Sequence, residues 1–365
     1  MHDLSHLYSP FRVGPLTLPN RLVMAPMTRG RAAADGTPVE AMARYYQLRA
    51  DAGLLVTEAV AISPGGVGWL GAPGIYTDAH VAGWRKVTEA VHLRDGRIFL
   101  QLWHMGRVSH PDFLGGRQPV APSAIAAEGH AHTAKGKKPY VTPRALQKDE
   151  IRAIVDEYAA ATKRAREAGF DGVELHGANG YLVDQFLRDG ANRRDDEYGG
   201  SPENRARFLL EVTDAIAAAW SADRVGVRLS PTGAYNDMRD RDPAATFSHA
   251  AKELDTRGLA YVHVTEPLPG HMLHVDLPPV LPVVREVFRG PLITNGGYDA
   301  RLADAAIGAR EADLVAFGVP FLANPDLVTR YRTGAALNPP DFTTLYTPGE
   351  KGYPDYPTLE QAKPA

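Results

Sequence analysis

The chain has 365 residues, of which 44% are hydrophobic and 23% charged, and its formal net charge is -3 at pH 7 with no long block of one sign. This composition predicts a globular protein with a sizeable core and a small-molecule partner, and it gives no indication of a nucleic-acid or membrane partner. Cysteine is absent, which excludes disulfides, cysteine nucleophiles and cysteine-ligated zinc or iron–sulfur sites.

The N-terminal segment, from Met1 to Pro19, lacks a basic stretch followed by an apolar run, so no signal peptide is predicted and a cytoplasmic location is expected. Within this segment, Phe11–Val13 and Leu16–Leu18 flank the turn sequence Gly14-Pro15. Such a pattern is typical of a β-hairpin. We expect the hairpin to close the N-terminal end of the fold that follows.

Short runs rich in Val, Ile and Leu then alternate with longer amphipathic segments. The predicted strands are Leu22–Ala25, Leu54–Ala61, Ile98–Trp103, Gly172–His176, Val225–Ser230, Tyr261–Thr265, Leu292–Asn295 and Leu314–Gly318. The clearest predicted helices are Val39–Ala50, His80–Leu93, Lys148–Glu167, Pro202–Trp220, Ala244–Arg257 and Ala300–Gly308. Eight strand–helix units close a parallel barrel, so the sequence predicts a single (β/α)8 TIM barrel over residues 1–365.

Residues 105–147 show no sustained period and are rich in Gly, Pro, Ser and His. A segment of this length without a periodic pattern is typical of a functional loop. We therefore predict a long insertion after the third strand that caps the active site.

Polar residues follow seven of the eight predicted strands, at the barrel end where β/α barrels form their active sites. The ends of the seventh and eighth strands read Asn295-Gly296-Gly297 and Phe317-Gly318. Glycine lets backbone N–H groups approach a phosphate closely, although each glycine can also serve only a tight turn. Together the two loops favour a phosphate site.

Arg228 ends the fifth strand, where a permanent cation can stabilise negative charge on a reduced ring system. Gln101 and Thr28 offer neutral hydrogen bonds beside it. A salt bridge from Arg228 to Glu58 or to another carboxylate across the barrel is the structural alternative.

His176, Asn179 and Tyr181 lie just after the fourth strand. His176 and Asn179 can both donate to one carbonyl oxygen, and Tyr181, which is protonated at neutral pH, can supply a proton. This constellation suits the reduction of an enone. Metal binding by His176 is the competing use, but no acidic or histidine partner at metal-ligand spacing lies nearby, so no metal is predicted.

Several separated motifs resemble the Old Yellow Enzymes, in the same order and along nearly the whole chain. They are Ala25-Pro26-Met27-Thr28-Arg29, Thr57-Glu58-Ala59, Gln101-Leu102-Trp103-His104, the run from His176-Gly177-Ala178-Asn179-Gly180-Tyr181-Leu182 through Asp196-Glu197-Tyr198-Gly199-Gly200-Ser201-Pro202-Glu203-Asn204-Arg205, and Ala323-Asn324-Pro325-Asp326-Leu327. Thr28, where another branch carries cysteine, places the chain nearer the branch first described in yeast and enteric bacteria.

The resemblance implies a non-covalent FMN that NADPH or NADH reduces and that an α,β-unsaturated carbonyl compound reoxidises at the same site, by a ping-pong mechanism. Hydride would pass from flavin N5 to the substrate β-carbon and a proton from Tyr181 to its α-carbon. The residues expected to contact FMN are Pro26, Met27, Thr28, Ala59, Gln101, Arg228, Asn295, Gly296, Gly297, Phe317, Gly318 and Val319. Those expected to contact the substrate are Trp69, Trp103, His176, Asn179 and Tyr181.

Two positions depart from the family pattern. Val319 stands where many relatives carry an arginine that meets the FMN phosphate, and Trp69 stands where tyrosine is common. The first departure predicts weakened FMN binding, and the second predicts a narrower or more apolar pocket. The run Lys135-Gly136-Lys137-Lys138 either contacts the extra phosphate of NADPH or forms an ordinary solvated loop.

Three functions are consistent with this pattern. The leading one is an ene-reductase, and the second is a flavin reductase of nitro compounds or nitrate esters, which uses the same donors. The third is a ligand-binding barrel whose FMN affinity has declined through Val319. The sequence leaves the natural substrate, the choice between NADH and NADPH, and the monomeric or homodimeric state open.

Overall fold

A closed barrel of eight parallel strands forms the centre of the structure, a computed structural model that describes residues 3–362. The strands, in chain order, are β1 (Phe11–Val13), β2 (Leu16–Leu18), β3 (Leu22–Met24), β4 (Leu54–Ala61), β5 (Ile98–Trp103), β6 (Val120–Ala121), β7 (His130–Thr133), β8 (Gly136–Pro139), β9 (Arg144–Ala145), β10 (Gly172–Gly177), β11 (Val225–Leu229), β12 (Tyr261–Thr265), β13 (Leu292–Asn295) and β14 (Leu314–Phe317). The barrel contains β3 to β5 and β10 to β14, and β14 closes it against β3. The predicted barrel is confirmed, with ends that differ by one residue at β3, β10, β11 and β14.

Helices surround the barrel and pack against the outer faces of its strands. They are α1 (Glu40–Gln47), α2 (Asp78–His92), α3 (Lys148–Glu167), α4 (Leu182–Leu187), α5 (Pro202–Ala219), α6 (Pro243–Asp255), α7 (Leu281–Val287), α8 (Ala300–Gly308), α9 (Val319–Ala323) and α10 (Leu327–Thr333). All six predicted helices are present, and the largest shift is at the end of α1, which stops at Gln47 rather than at Ala50. The other four have five to seven residues, too few to show a helical period. No helix within residues 3–362 has the length and apolar character needed to cross a bilayer.

The hairpin of β1 and β2 packs against the N-terminal end of the barrel, as expected. Val13 and Leu18 are fully buried against inward-facing strand residues such as Val23. At the turn, Gly14 has a φ of 52°, and a Cβ there would lie 1.9 Å from the carbonyl oxygen of Asp223. Only glycine fits this close approach. The hairpin thus covers one end of the barrel, opposite the end that carries the polar residues.

The segment 105–147 connects β5 to α3, so the predicted insertion after the third barrel strand is confirmed. Part of it is regular, since β7 and β8 form an antiparallel hairpin and β6 pairs with β9 in parallel. These strands have two to four residues and were not predicted, because runs so short carry no recognisable alternation. The lysine-rich run lies at the tip and in the second strand of the hairpin, where Lys138 Nζ is 2.7 Å from Asp112 Oδ2.

Candidate active site

The C-terminal ends of the barrel strands bring the predicted polar residues together. In the strand register, His176 of β10 lies beside Arg228 of β11, and Gln101 of β5 lies beside Glu174 of β10. His176, Arg228 and Gln101 are 4%, 6% and 1% exposed. Side chains alternate between the two faces of a strand, so Glu174 and His176 both point to the barrel interior. His176, Arg228 and Gln101 therefore converge on one buried region.

The turn after β10 presents Asn179 in an unusual backbone conformation. Asn179 has a φ of 57° and Gly180 a φ of 77°, so two consecutive left-handed residues reverse the chain into α4. The Asn179 N–H donates to Ser230 Oγ at 2.7 Å, and its carbonyl oxygen accepts from Asn236 Nδ2 at 2.8 Å. Asparagine adopts the left-handed backbone conformation more readily than most residues other than glycine. The loop after β11 thus holds the turn from both sides.

A buried ion pair supports the same turn, and sequence reasoning missed it. Asp184 Oδ2 accepts the Gly180 N–H at 2.8 Å, and Asp184 Oδ1 lies 3.0 Å from Arg188 Nε. Arg188 in turn donates to the carbonyl oxygens of Ser230 and Gly233. Both charged side chains are at most 2% exposed, so loss of one would leave a buried charge unpaired.

The His176 ring is neutral and has one defined donor. Burial, and then the nearby Arg228 and His263, hold the pKa of His176 well below its usual value of 6.5. Its Nδ1 accepts the N–H of Ala178 at 3.4 Å. A neutral imidazole carries one proton, so Nε2–H is the donor that remains for a ligand.

The low pKa of His176 predicts a flat pH profile. The neutral ring predominates at every pH above its lowered pKa, so the step at which it gains a proton lies below the usual midpoint of 6.5. We expect kcat/KM for the oxidised substrate, measured by steady-state kinetics, to show no imidazole step at the usual midpoint. A fall in kcat/KM on acidification with a midpoint near 6.5 would contradict this assignment.

Tyr181 is a partly buried phenol between two aromatic rings. Its ring meets Trp103 at 4.9 Å and His176 at 4.8 Å, both edge to face. Burial, and then the neighbouring tyrosines Tyr235, Tyr140 and Tyr346, raise the pKa of Tyr181 above its usual value of 10. The hydroxyl is therefore protonated throughout the physiological range.

An aromatic wall continues from Tyr181 toward the surface. Trp69 meets His132 of β7 at 5.4 Å and Tyr346 of the C-terminal segment at 5.0 Å. The insertion and the C-terminal segment thus both reach the same region as Trp69. Tyr346 was not predicted, because its position depends on contacts far along the chain. A cavity of about 290 Å³ is lined by Asn179 and by residues of the loops after β11 and β12, including Tyr235 and Met272.

Arg228 is held by an amide rather than by a carboxylate. Its Nη2 donates to Asn295 Oδ1 at 3.0 Å, and Asn295 Nδ2 donates to the Ala316 carbonyl oxygen at 2.7 Å. Glu58 accepts instead from the N–H groups of Arg29 and Gly30, so the alternative of an Arg228–Glu58 salt bridge is wrong. Arg228 Nε is buried without a partner among residues 3–362. At least one donor of the guanidinium is therefore left for a ligand.

The C-terminal ends of the first three barrel strands, β3, β4 and β5, form the adjoining part of the barrel mouth. An irregularity between Val56 and Ala59 of β4 brings Ala59 opposite Gln101. Thr28 precedes the two N–H groups that Glu58 holds. Pro26 and Met27 belong to the same loop, and a Cβ on Gly318 would lie 3.5 Å from Met27 Sδ. The loop after β3 thus adjoins the end of β14.

Free backbone donors lie at the ends of β13 and β14. Gly296 and Gly297 have φ values of 139° and 97°, and a Cβ on Gly296 would lie 2.6 Å from the Glu266 carbonyl oxygen. Within residues 3–362, the N–H groups of Gly296, Gly297 and Gly318 meet no acceptor. Asp299 caps the N-terminus of α8, because its side chain accepts hydrogen bonds from the backbone N–H groups of Arg301 and Leu302. Val319 begins α9 and is 44% exposed.

Comparisons with known proteins give the site its context. A family model described as NADH:flavin oxidoreductase / NADH oxidase family matches residues 6–338. A Leishmania infantum protein named probable flavin mononucleotide-dependent alkene reductase is 45% identical over 362 residues, which cover 97% of each chain. The structure of an Old Yellow Enzyme homologue from Zymomonas mobilis is 47% identical with a TM-score of 0.95, covering 97% of this chain and 99% of that one. A structure of morphinone reductase in complex with tetrahydroNAD is 50% identical with a TM-score of 0.92, covering 97% of each chain.

The site fits FMN, the cofactor of this family. The buried unpaired Arg228 Nε suits the polar edge of a flavin ring, and the free glycine N–H groups at the ends of β13 and β14 suit a phosphate. In a TIM barrel, the loops after the seventh and eighth strands are where phosphate commonly binds. The chain belongs to the NADH:flavin oxidoreductase / NADH oxidase family and is an FMN-dependent NAD(P)H oxidoreductase of the Old Yellow Enzyme type.

Proposed function

We propose that the chain reduces the activated C=C bond of α,β-unsaturated carbonyl compounds in two half-reactions at one site. When bound, FMN supplies the redox chemistry, because it accepts reducing equivalents from NADPH or NADH and delivers them to the alkene. The observation that carries the proposal is the arrangement of neutral His176, Asn179 and protonated Tyr181 on one turn at the mouth of the barrel.

Two groups of residues would bind FMN, one at the ring system and one at the phosphate. Thr28, Ala59, Gln101 and Arg228 would hold the polar edge of the ring system, with Pro26 and Met27 beside it. The glycines at the ends of β13 and β14 would cradle the phosphate between Asn295, Phe317 and Val319. Asn295 would act through Arg228, because its side-chain oxygen accepts from Arg228 Nη2.

The substrate carbonyl would accept hydrogen bonds from His176 Nε2–H and the Asn179 side-chain amide. These donors draw electron density toward the oxygen and make the β-carbon electron-poor. Tyr181 Oη would give its proton to the α-carbon as the β-carbon is reduced, and solvent would return the proton. Atoms and charge then balance, since one hydride equivalent and one proton convert the alkene to the saturated carbonyl compound.

Trp69 and Trp103 would form the walls of the substrate pocket, and residues 105–147 would cap it. Tyr140 of this segment and Trp69 pack against the cluster of Trp103 and Ala127, which supports that role. We infer a cytoplasmic enzyme, for which either nicotinamide remains a candidate. Lys135 and Lys137 on the hairpin are exposed cations that would favour NADPH.

The test is product analysis with a simple cyclic enone, FMN and either nicotinamide. Formation of the saturated ketone at a rate that depends on both enone and nicotinamide supports the proposal. A parallel reaction with a nitroaromatic compound distinguishes the ene-reductase from the second candidate function, a flavin reductase of nitro compounds. Rapid nitro reduction with no ketone formation would overturn the assignment in favour of a nitroreductase.

Val319→Arg is expected to tighten FMN binding. Val319 is exposed beside Gly318, so an arginine there would not displace core residues and would extend toward the proposed phosphate site. A charge-assisted hydrogen bond contributes about 1.5–3 kcal/mol, which corresponds to about one to two powers of ten in the dissociation constant. Titration of the apoprotein with FMN, followed by flavin fluorescence, measures the change, and Val319→Gln is the uncharged control.

Unchanged FMN affinity in Val319→Arg would mean that another cation already neutralises the phosphate. Arg301, in the first turn of α8, is the candidate on the correct side of the barrel. Arg310 follows α8, and Lys252 lies in the last turn of α6, so both face the opposite end of the barrel.

A further inference from the structure

A hydrogen-bonded network lies inside the barrel beneath the mouth, and none of the roles assigned above uses its members Glu174, Tyr261 and His263. Glu174 Oε1 accepts from Gln101 Nε2 at 2.7 Å. Glu174 Oε2 accepts from the Tyr261 hydroxyl at 3.1 Å and lies 3.0 Å from His263 Nδ1. Glu174, Tyr261 and His263 are 0% exposed. A carboxylate so deep in a barrel requires several donors, and here it has three.

Glu174 is ionised in this environment. Burial alone would raise the pKa of Glu174, but His263, Arg228 and the Gln101 amide together hold it below its usual range. An ionised carboxylate accepts hydrogen bonds and donates none. Gln101 must therefore present its amide NH2 group to Glu174, which leaves its side-chain oxygen as the end that can face a ligand.

We propose that Glu174 is a positioning residue for the cofactor, an inference that rests on the proposed FMN site. By fixing the Gln101 amide, it presents an acceptor to the N–H of the flavin pyrimidine ring. Glu174 also places a negative charge deeper in the barrel than Arg228. In the strand register Glu174 lies beside Gly226, and Arg228 follows two residues later on the same face of β11. Glu174 thus sets both the hydrogen-bond pattern and the net charge at the polar edge of the ring.

Glu174→Gln reverses both effects. The new amide would keep its oxygen where two donors, Tyr261 and His263, converge, and would turn its NH2 group toward Gln101. The side-chain amide of Gln101 would then have to rotate and present its NH2 group to the N–H of the flavin ring. Two donors would face each other, and that hydrogen bond would be lost. The loss of negative charge would leave Arg228 uncompensated and free to stabilise a negatively charged, reduced ring more strongly.

The experiment measures FMN affinity and the reduction potential of bound FMN, in the whole chain. For Glu174→Gln we expect about tenfold weaker FMN binding and a positive shift in the potential. Tyr261→Phe is the matched control, because it removes one donor from the same buried network but leaves the carboxylate and its Gln101 contact. We expect Tyr261→Phe to retain both FMN affinity and potential.

A merely structural network would change both variants alike, and equal effects would overturn the inference. So would Glu174→Gln with unchanged affinity and potential. Glu174→Asp replaces Glu174→Gln as the test if the glutamine variant does not fold. The shorter side chain keeps the negative charge but moves the carboxylate away from Gln101, so FMN affinity should fall without a positive shift in the reduction potential. Undiminished FMN binding by Glu174→Asp contradicts the inference. Failure of the unchanged protein to bind FMN would instead refute the proposed function.

Discussion

Replacing Tyr181 with phenylalanine is expected to slow enone reduction by about 10² to 10⁴-fold, the range that a positioned general acid contributes. The variant keeps the ring that packs on Trp103 and His176 and loses only the hydroxyl. Reduction of bound FMN by NADPH or NADH needs no proton from Tyr181, so its rate should stay nearly unchanged. Anaerobic stopped-flow absorbance measures the two half-reactions separately.

Tyr158→Phe is the matched control for this prediction. Tyr158 lies in α3, is fully buried and has a hydroxyl with no partner within residues 3–362, so its loss tests the generic effect of removing a buried phenol oxygen. Its two half-reactions should match those of the unchanged protein. Equal losses in both half-reactions of Tyr181→Phe would contradict the role of proton donor and point to a disturbed flavin site.

Removal of the paired donors should have the next largest effect. His176→Ala and Asn179→Ala are each expected to lower kcat/KM for the enone by about 10² to 10³-fold, as the loss of one oxyanion donor does elsewhere. Binding of a phenol, whose oxygen would meet the same two donors, should weaken in parallel. Phenol titration of the FMN-loaded protein by visible absorbance gives this second, non-kinetic measurement.

His104 provides a close control for His176. It lies just after β5 and is 2% exposed, burial lowers its pKa to about 4, and its Nδ1 accepts the Gly106 N–H at 3.1 Å. His104→Ala therefore removes a similar neutral, buried ring that faces no proposed ligand. If His104→Ala weakened phenol binding as much as His176→Ala does, the effect would come from the barrel wall and not from donation to the ligand.

The barrel could be predicted because its strands are buried on both faces and read as apolar runs. The positions of the polar mouth residues then followed from where the runs stop, since parallel strands end on one side of a barrel. The structure brings His176 beside Arg228 for this reason. The N-terminal hairpin was predictable from Gly14-Pro15, where the turn requires glycine.

The supporting contacts could not be predicted, because they join residues that are distant in sequence and ordinary in type. Asp184 and Arg188 resemble any polar pair on an exposed helix, yet both are buried and reach the loop after β11. Glu174 resembles a break in an apolar strand, and its partners lie 73 to 89 residues away. Tyr346 lies near the mouth in a C-terminal segment whose carbonyl oxygens accept hydrogen bonds from Arg29 and Arg31.

The most direct test of the account is one anaerobic absorbance experiment on the purified protein supplemented with FMN. We expect a visible flavin band that bleaches when NADPH or NADH is added and returns when a simple cyclic enone follows. That sequence would establish flavin binding, both half-reactions and the substrate class together. A protein that shows no bound flavin after FMN addition, or a band that bleaches and does not return with the enone, would contradict the account.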